Sequence, residues 1–126
     1  MIYVADTHAL VRYITGKLPK KSATIFQQSE EGKCIIFIPT IVLAETRYLV
    51  KQKKILLDFP DLLRRVEVSE NFIPVPFDFQ MLKLLRDEVS EIHDQIIVAT
   101  SNLLNAKLIT KDIEIQDSGL VECVWD

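Results

Sequence analysis

The 126-residue chain has little of what marks several protein classes. It holds 2 cysteines and 3 glycines, its charged residues sum to −3, and no apolar run is long. Two cysteines cannot staple a small secreted scaffold, and Cys34 and Cys123 sit in apolar stretches outside any metal-ligand or redox spacing. Both read as buried, reduced thiols. Without an apolar run of bilayer length, a spanning helix is excluded. The N-terminus also lacks the basic-then-apolar pattern of a secretory signal, because Asp6 interrupts the first apolar run. A cytoplasmic protein is therefore expected. A net negative charge argues against a protein that coats DNA indiscriminately. It is compatible with a nuclease whose own carboxylates carry the charge. The local basic groups (Lys17, Lys20 and Lys21; Lys51, Lys53 and Lys54; Arg64 and Arg65) read first as solvated helix ends or faces.

What is present is an ordinary globular composition, 48% hydrophobic and 26% charged, at a length suited to one domain spanning 1–126. No repeat, low-complexity tract or linker divides it. Strand-like and helix-like segments alternate. Ile2–Ala5, Cys34–Ile38, Phe72–Pro76, Lys107–Thr110 and Leu120–Trp125 read as strands. Helices are expected over 7–15, 20–31, 40–53, 60–68, 78–89 and 93–104, with Gly16, Gly32 and Asn105 as stops. Thr40 is the expected N-cap of its helix. In the 78–89 segment, Phe79, Leu82, Leu85 and Val89 share a helical face. Helices between strands require crossovers. The expected fold is therefore α/β: a three-layer α/β/α sandwich around a mainly parallel sheet of about five strands.

In such sheets, ligands bind beyond the carboxyl ends of the strands. That rule selects four acids. Asp6 follows the first strand, Asp112 follows Lys107–Thr110, Glu45 lies in the helix after Cys34–Ile38, and Asp94 opens the helix leading to Lys107–Thr110. Asp6, Asp94 and Asp112 each stand where a carboxylate could simply cap a helix. Glu45 does not: with Thr40 as cap, the capping-box acid would fall at Leu43. Glu45 shares a face with Ile41, Tyr48 and Leu49, expected to be the buried one, so it needs either a partner such as Arg12 or a shared polar site.

Four carboxylates at one sheet edge repel. At about 5 Å and an effective dielectric of about 20, each pair costs on the order of 3 kcal/mol. Protons or a cation must offset this. All-oxygen donors favour Mg²⁺ or Mn²⁺ over zinc, and magnesium retains waters suited to attack a phosphodiester.

The order of short motifs is similar to a known family. An N-terminal strand ends in Asp6-Thr7, and a second strand runs into Pro39-Thr40-Ile41-Val42-Leu43-Ala44-Glu45. His93-Asp94-Gln95-Ile96-Ile97-Val98-Ala99-Thr100-Ser101 and Leu108-Ile109-Thr110-Lys111-Asp112 follow. Across essentially its whole length, the chain resembles PIN-domain ribonucleases, in particular VapC-type toxins of toxin–antitoxin pairs. The resemblance implies a Mg²⁺- or Mn²⁺-dependent endoribonuclease, leaving 5′-phosphate and 3′-hydroxyl ends, that forms a homodimer and is neutralised by a small antitoxin. It implies Asp6, Glu45 and Asp94 as the core metal-holding acids and Asp112 as the fourth. Thr7 and Thr110 could orient carboxylates or a water, and Asp117 could be an outer acid, although a solvated residue is the simpler reading. His8 and His93 match no catalytic position of the family, and Trp125 reads as core or interface. Arg12, Arg47, Lys51 and Lys111 are candidates to position RNA. Two alternatives stand beside this reading. One is a non-catalytic metal- or RNA-binding module. The other is an aspartate-nucleophile phosphatase, against which His8 occupies the place of its second acid.

Overall fold

A computed structural model describes residues 1–126. Five parallel strands form one sheet in the order β3-β2-β1-β4-β5: β1 (Ile2–Ala5), β2 (Ile35–Pro39), β3 (Phe72–Val75), β4 (Lys107–Ile109) and β5 (Cys123–Val124). Between them lie α1 (Thr7–Ile14), α2 (Lys20–Glu30), α3 (Thr40–Lys51), α4 (Phe59–Val68), α5 (Phe79–Leu82), α6 (Ile92–Leu104) and α7 (Ile113–Ser118). The chain builds outward from β1 to β3, then crosses back to lay β4 on the other side of β1. Parallel crossovers are right-handed, so α1–α4 cover one face and α5–α7 the other. The expected α/β sandwich and its parallel sheet are what the structure contains.

The core follows from the pattern of the strands. Val4, Ile36, Ile38, Leu108 and Ile109 are fully or almost fully buried, as strands covered on both faces require. Leu10, Phe26, Val42, Leu62 and Ile97 pack onto them from the helices. β3 lies at an edge, which suits Pro74, because an edge strand can forgo one ladder donor. Asn105 closes α6 in the left-handed conformation at φ 52°. Both thiols are free, with Cys34 buried and Cys123 half-buried. No helix is long and apolar enough to cross a membrane.

Three local expectations fail. Thr40 does not cap α3: Pro39, which still pairs in β2 with Val75, takes the cap position without a side-chain bond, and Thr40 is the first helical residue. The segment 78–89 is not one helix. Asp78 caps α5, its carboxylate accepting from Met81 N–H at 2.9 Å, but α5 ends at Leu82, and Phe79 and Leu82 are exposed. The chain instead turns so that Val89 enters the core from a loop, where Gln95 donates to its carbonyl at 2.7 Å and Ser90 bonds Glu114 of α7. These tertiary contacts override the helical period. Finally, the buried face of α3 is Val42, Leu43 and Thr46, whereas the Ile41–Glu45–Tyr48–Leu49 face borders a cavity.

Candidate functional site

The strand order reverses at β1, so a crevice opens between the carboxyl ends of β1 and β4. There Asp6 N–H donates to the Ile109 carbonyl at 3.3 Å, tying the two strand ends together. A cavity of about 650 Å³ lies over this point, and Asp6, Glu45, Asp94 and Asp112 all line it. One wall carries Thr7 and His8 from α1, another Ile41, Ala44, Tyr48 and Leu49 from α3, and a third Glu91, His93 and Ile97 from the start of α6.

Asp6 is buried and caps α1, with Oδ1 accepting from Ala9 N–H at 2.8 Å. Burial raises its pKa, against the hydrogen bonds from Thr110 and Ala9 that favour the charged form. Asp112 caps α7 in the same manner, accepting from Ile115 N–H at 3.0 Å. The Thr110 hydroxyl accepts from Asp112 N–H at 3.0 Å, so one side chain touches both strand-end acids. Gln116 Nε2 holds the Thr110 carbonyl at 3.2 Å from the far side.

Asp94 sits in the first turn of α6 but does not cap it. Glu91 is the cap, its Oε2 accepting from Asp94 N–H at 3.0 Å. The Asp94 carboxyl is pushed up to about 7, first by burial and then by the charges of Asp112, Glu91, Asp6 and Glu45. All four of its acidic neighbours therefore act on one carboxyl, as the expected repulsion requires.

Glu45 stands apart from the other three. Thr7 Oγ1–H donates to its Oε1 at 2.6 Å, and His93 Nδ1 lies 3.2 Å from its Oε2. The same His93 nitrogen is 3.3 Å from Glu91 Oε1. Arg12 is not the partner of Glu45: its guanidinium lies over the Trp125 ring, 5.9 Å from the centroid, and reaches the Lys17 carbonyl. Trp125 itself packs on the core just past β5. Asp117 is exposed on α7 and does not line the cavity.

Glu91 and His93 are the residues that sequence reasoning missed or set aside. They precede Asp94 closely in the chain, and both line the cavity, Glu91 as the N-cap of α6 and His93 from its first turn.

The donor set suits a hard divalent cation: oxygen ligands predominate, and the raised proton affinity of Asp94 marks a site with surplus negative charge. The geometry is less complete. No three of these side chains converge closely enough to hold one ion between them. Glu45 has both oxygens engaged, by Thr7 and His93.

A parallel α/β sheet with an acidic cavity at its switch point defines a broad class of site. Within that class the chain belongs to the PIN domain family, whose family model matches residues 3–119. PIN domains are in general nuclease-type hydrolases that use divalent metal. The fold is similar to VapBC2 from Rickettsia felis, solved bound to a DNA fragment from its promoter, with TM-score 0.72, 20% identity and 100% of both chains covered. It is also similar to FitAcB from Neisseria gonorrhoeae, with TM-score 0.67, 20% identity, and 98% of this chain and 96% of that one covered. PAE2754 from Pyrobaculum aerophilum matches with TM-score 0.63 and 15% identity over 98% of this chain and 84% of that one. At these identities the likeness concerns the fold. By sequence, the chain matches no curated protein.

Proposed function

We propose that the chain is a single PIN-like domain over 1–126 acting as a Mg²⁺- or Mn²⁺-dependent endoribonuclease, the VapC-type toxin of a toxin–antitoxin pair. The observation that carries the reading is the gathering of Asp6, Glu45, Asp94 and Asp112 around one cavity at the switch point, with Asp94 raised to about 7 by burial and by its acidic neighbours. In this reading all four acids serve as metal ligands and catalytic residues once drawn in by a bound cation, since no three of them converge closely without it. A bound cation would neutralise charge at the phosphate and lower the pKa of a water beside it.

The chain's own residues divide the remaining work. Asp6 and Asp112, each fixed by a helix cap, line the cavity from rigid positions. Thr110 sets the spacing between them. Thr7 orients Glu45, and without a cation the Asp94 carboxyl is raised by burial and then by the surplus charge that a cation would offset. Likeness to VapBC2 and FitAcB supports a small antitoxin partner, and the resemblance to VapC-type toxins extends the reading to a homodimer in the cytoplasm. A cognate antitoxin would lay a helix in an apolar groove and send a basic side chain toward the acids.

The incomplete convergence of ligands favours one second reading, a non-catalytic metal- or RNA-binding module of the same fold. One experiment separates the two. Purified protein is incubated with a panel of structured RNAs and Mn²⁺, with and without EDTA, alongside Asp6→Asn and Asp94→Asn. The nuclease reading expects chelator-sensitive fragments, lost by at least about a hundredfold in either variant. No cleavage across the panel supports the module, and wild-type rates in the variants refute the assigned site.

A further inference from the structure

Although the chain is acidic as a whole, one stretch reverses sign. Between Glu45 and Asp58 there is no carboxylate, while Arg47, Lys51, Lys53 and Lys54 contribute four positive charges. All four are exposed, and none lies within ion-pairing distance of an acid. Of the 11 basic residues elsewhere, Lys33, Arg64, Arg86 and Lys107 have a carboxylate partner.

Tyr48 stands in the middle of this stretch. It occupies the outward face of α3, one position after Arg47 and three before Lys51, and 59% of its surface is exposed. It is also a wall of the acidic cavity, beside Ile41, Ala44 and Leu49, which make that side apolar. A large aromatic ring held open on a helix, flanked by free cations and set at the rim of an acidic pocket, has the parts of a nucleotide subsite. Aromatic faces stack unpaired bases, and neighbouring cations take the backbone phosphates. The other basic candidates point elsewhere. Arg12 covers Trp125, and Lys111 lines a separate cavity with Trp125 and Asp126.

We infer that Tyr48, with Arg47 and Lys51, forms a nucleobase and phosphate subsite on α3 that sets which unpaired nucleotide lies beside the acids. This rests on the nuclease reading for its placement but not for its test. Binding of a fluorescent single-stranded oligoribonucleotide is measured in EDTA, where no metal-dependent cleavage can occur. Tyr48→Ala is expected to weaken binding about tenfold and Tyr48→Trp to restore it. Converting Arg47 and Lys51 together to Gln should flatten the salt dependence by about 0.7 for each phosphate no longer neutralised. The Lys20→Gln/Lys21→Gln pair, equal in charge, should leave both unchanged. The same sequence paired into a duplex should bind more weakly than the single strand.

Unchanged binding by Tyr48→Ala, equal binding of duplex and single strand, or no measurable binding by the wild type overturns the inference; the first would leave the α3 face to a protein partner. Tyr48-dependent binding without metal-dependent cleavage would uphold it and defeat the nuclease reading alone.

Discussion

Asp6 and Asp112 each give one carboxylate oxygen to the helix that follows them, whereas Glu45 and Asp94 cap nothing. The first pair belongs to the strand ends and the second to the helix walls that close over them. The contrast shows that capping and function are not competing explanations. A cap uses one oxygen and fixes the carboxylate to within the stiffness of a helix N-terminus, and both residues still line the cavity. The wall acids have no such anchor. Glu45 turns toward Thr7 and His93, and Asp94 relieves its crowding by favouring its proton. A cation that drew all four together would change the wall pair most.

This contrast can be sharpened by perturbing each pair separately. The larger effect on stability is expected at Asp94. Its carboxyl ionises near 3.8 in an unfolded chain but only at about 7 in the fold. Between those values the native state binds more protons, so the metal-free protein loses stability as pH rises through that window. Asp94 is half-exposed, which screens the effect to something on the order of 1–2 kcal/mol. Denaturation in EDTA at pH 5 and pH 8 should show the loss in wild type and a smaller one in Asp94→Asn, where the raised Asp6 carboxyl still contributes. A variant no more stable than wild type at pH 8 would show that the crowding is not felt.

A smaller effect should come from the strand-end pair. Asp112→Ala removes the cap of α7 and should cost about 1 kcal/mol, while Asp112→Asn, which caps equally well, should cost little. The comparison with Glu45→Gln is informative, because that side chain bonds no backbone amide and should change stability less than Asp112→Ala. Equal losses at the two sites, measured by urea denaturation, would erase the distinction between anchored and unanchored acids.

The strands and the gathering of the four acids were legible for a common reason. Buried parallel strands are short apolar runs, and a parallel sheet places everything that follows a strand at one edge. Asp6 and Asp112 needed only that rule. Glu45 was noticed because capping could not explain it, yet its surroundings were misjudged: its face of α3 is a cavity wall, since Val42, Leu43 and Thr46 take the core. Periodicity reveals that a helix has two apolar sides but not which one meets the sheet. The 78–89 segment failed for a related reason. Its helical period is real, but the long-range Ser90–Glu114 contact and the local Gln95–Val89 bond fix a loop. Glu91 was missed because it lies just outside the expected helix, and helix starts are the least certain feature of a sequence pattern.

The central claim is that the four acids form one site for a divalent cation. Calorimetric titration with Mn²⁺ at pH 8, where Asp94 is mostly ionised, tests it without RNA or turnover. The wild type should bind, and Asp6→Asn and Asp94→Asn should each lower the affinity by at least about tenfold while remaining folded. Binding as tight in both variants as in the wild type would contradict it.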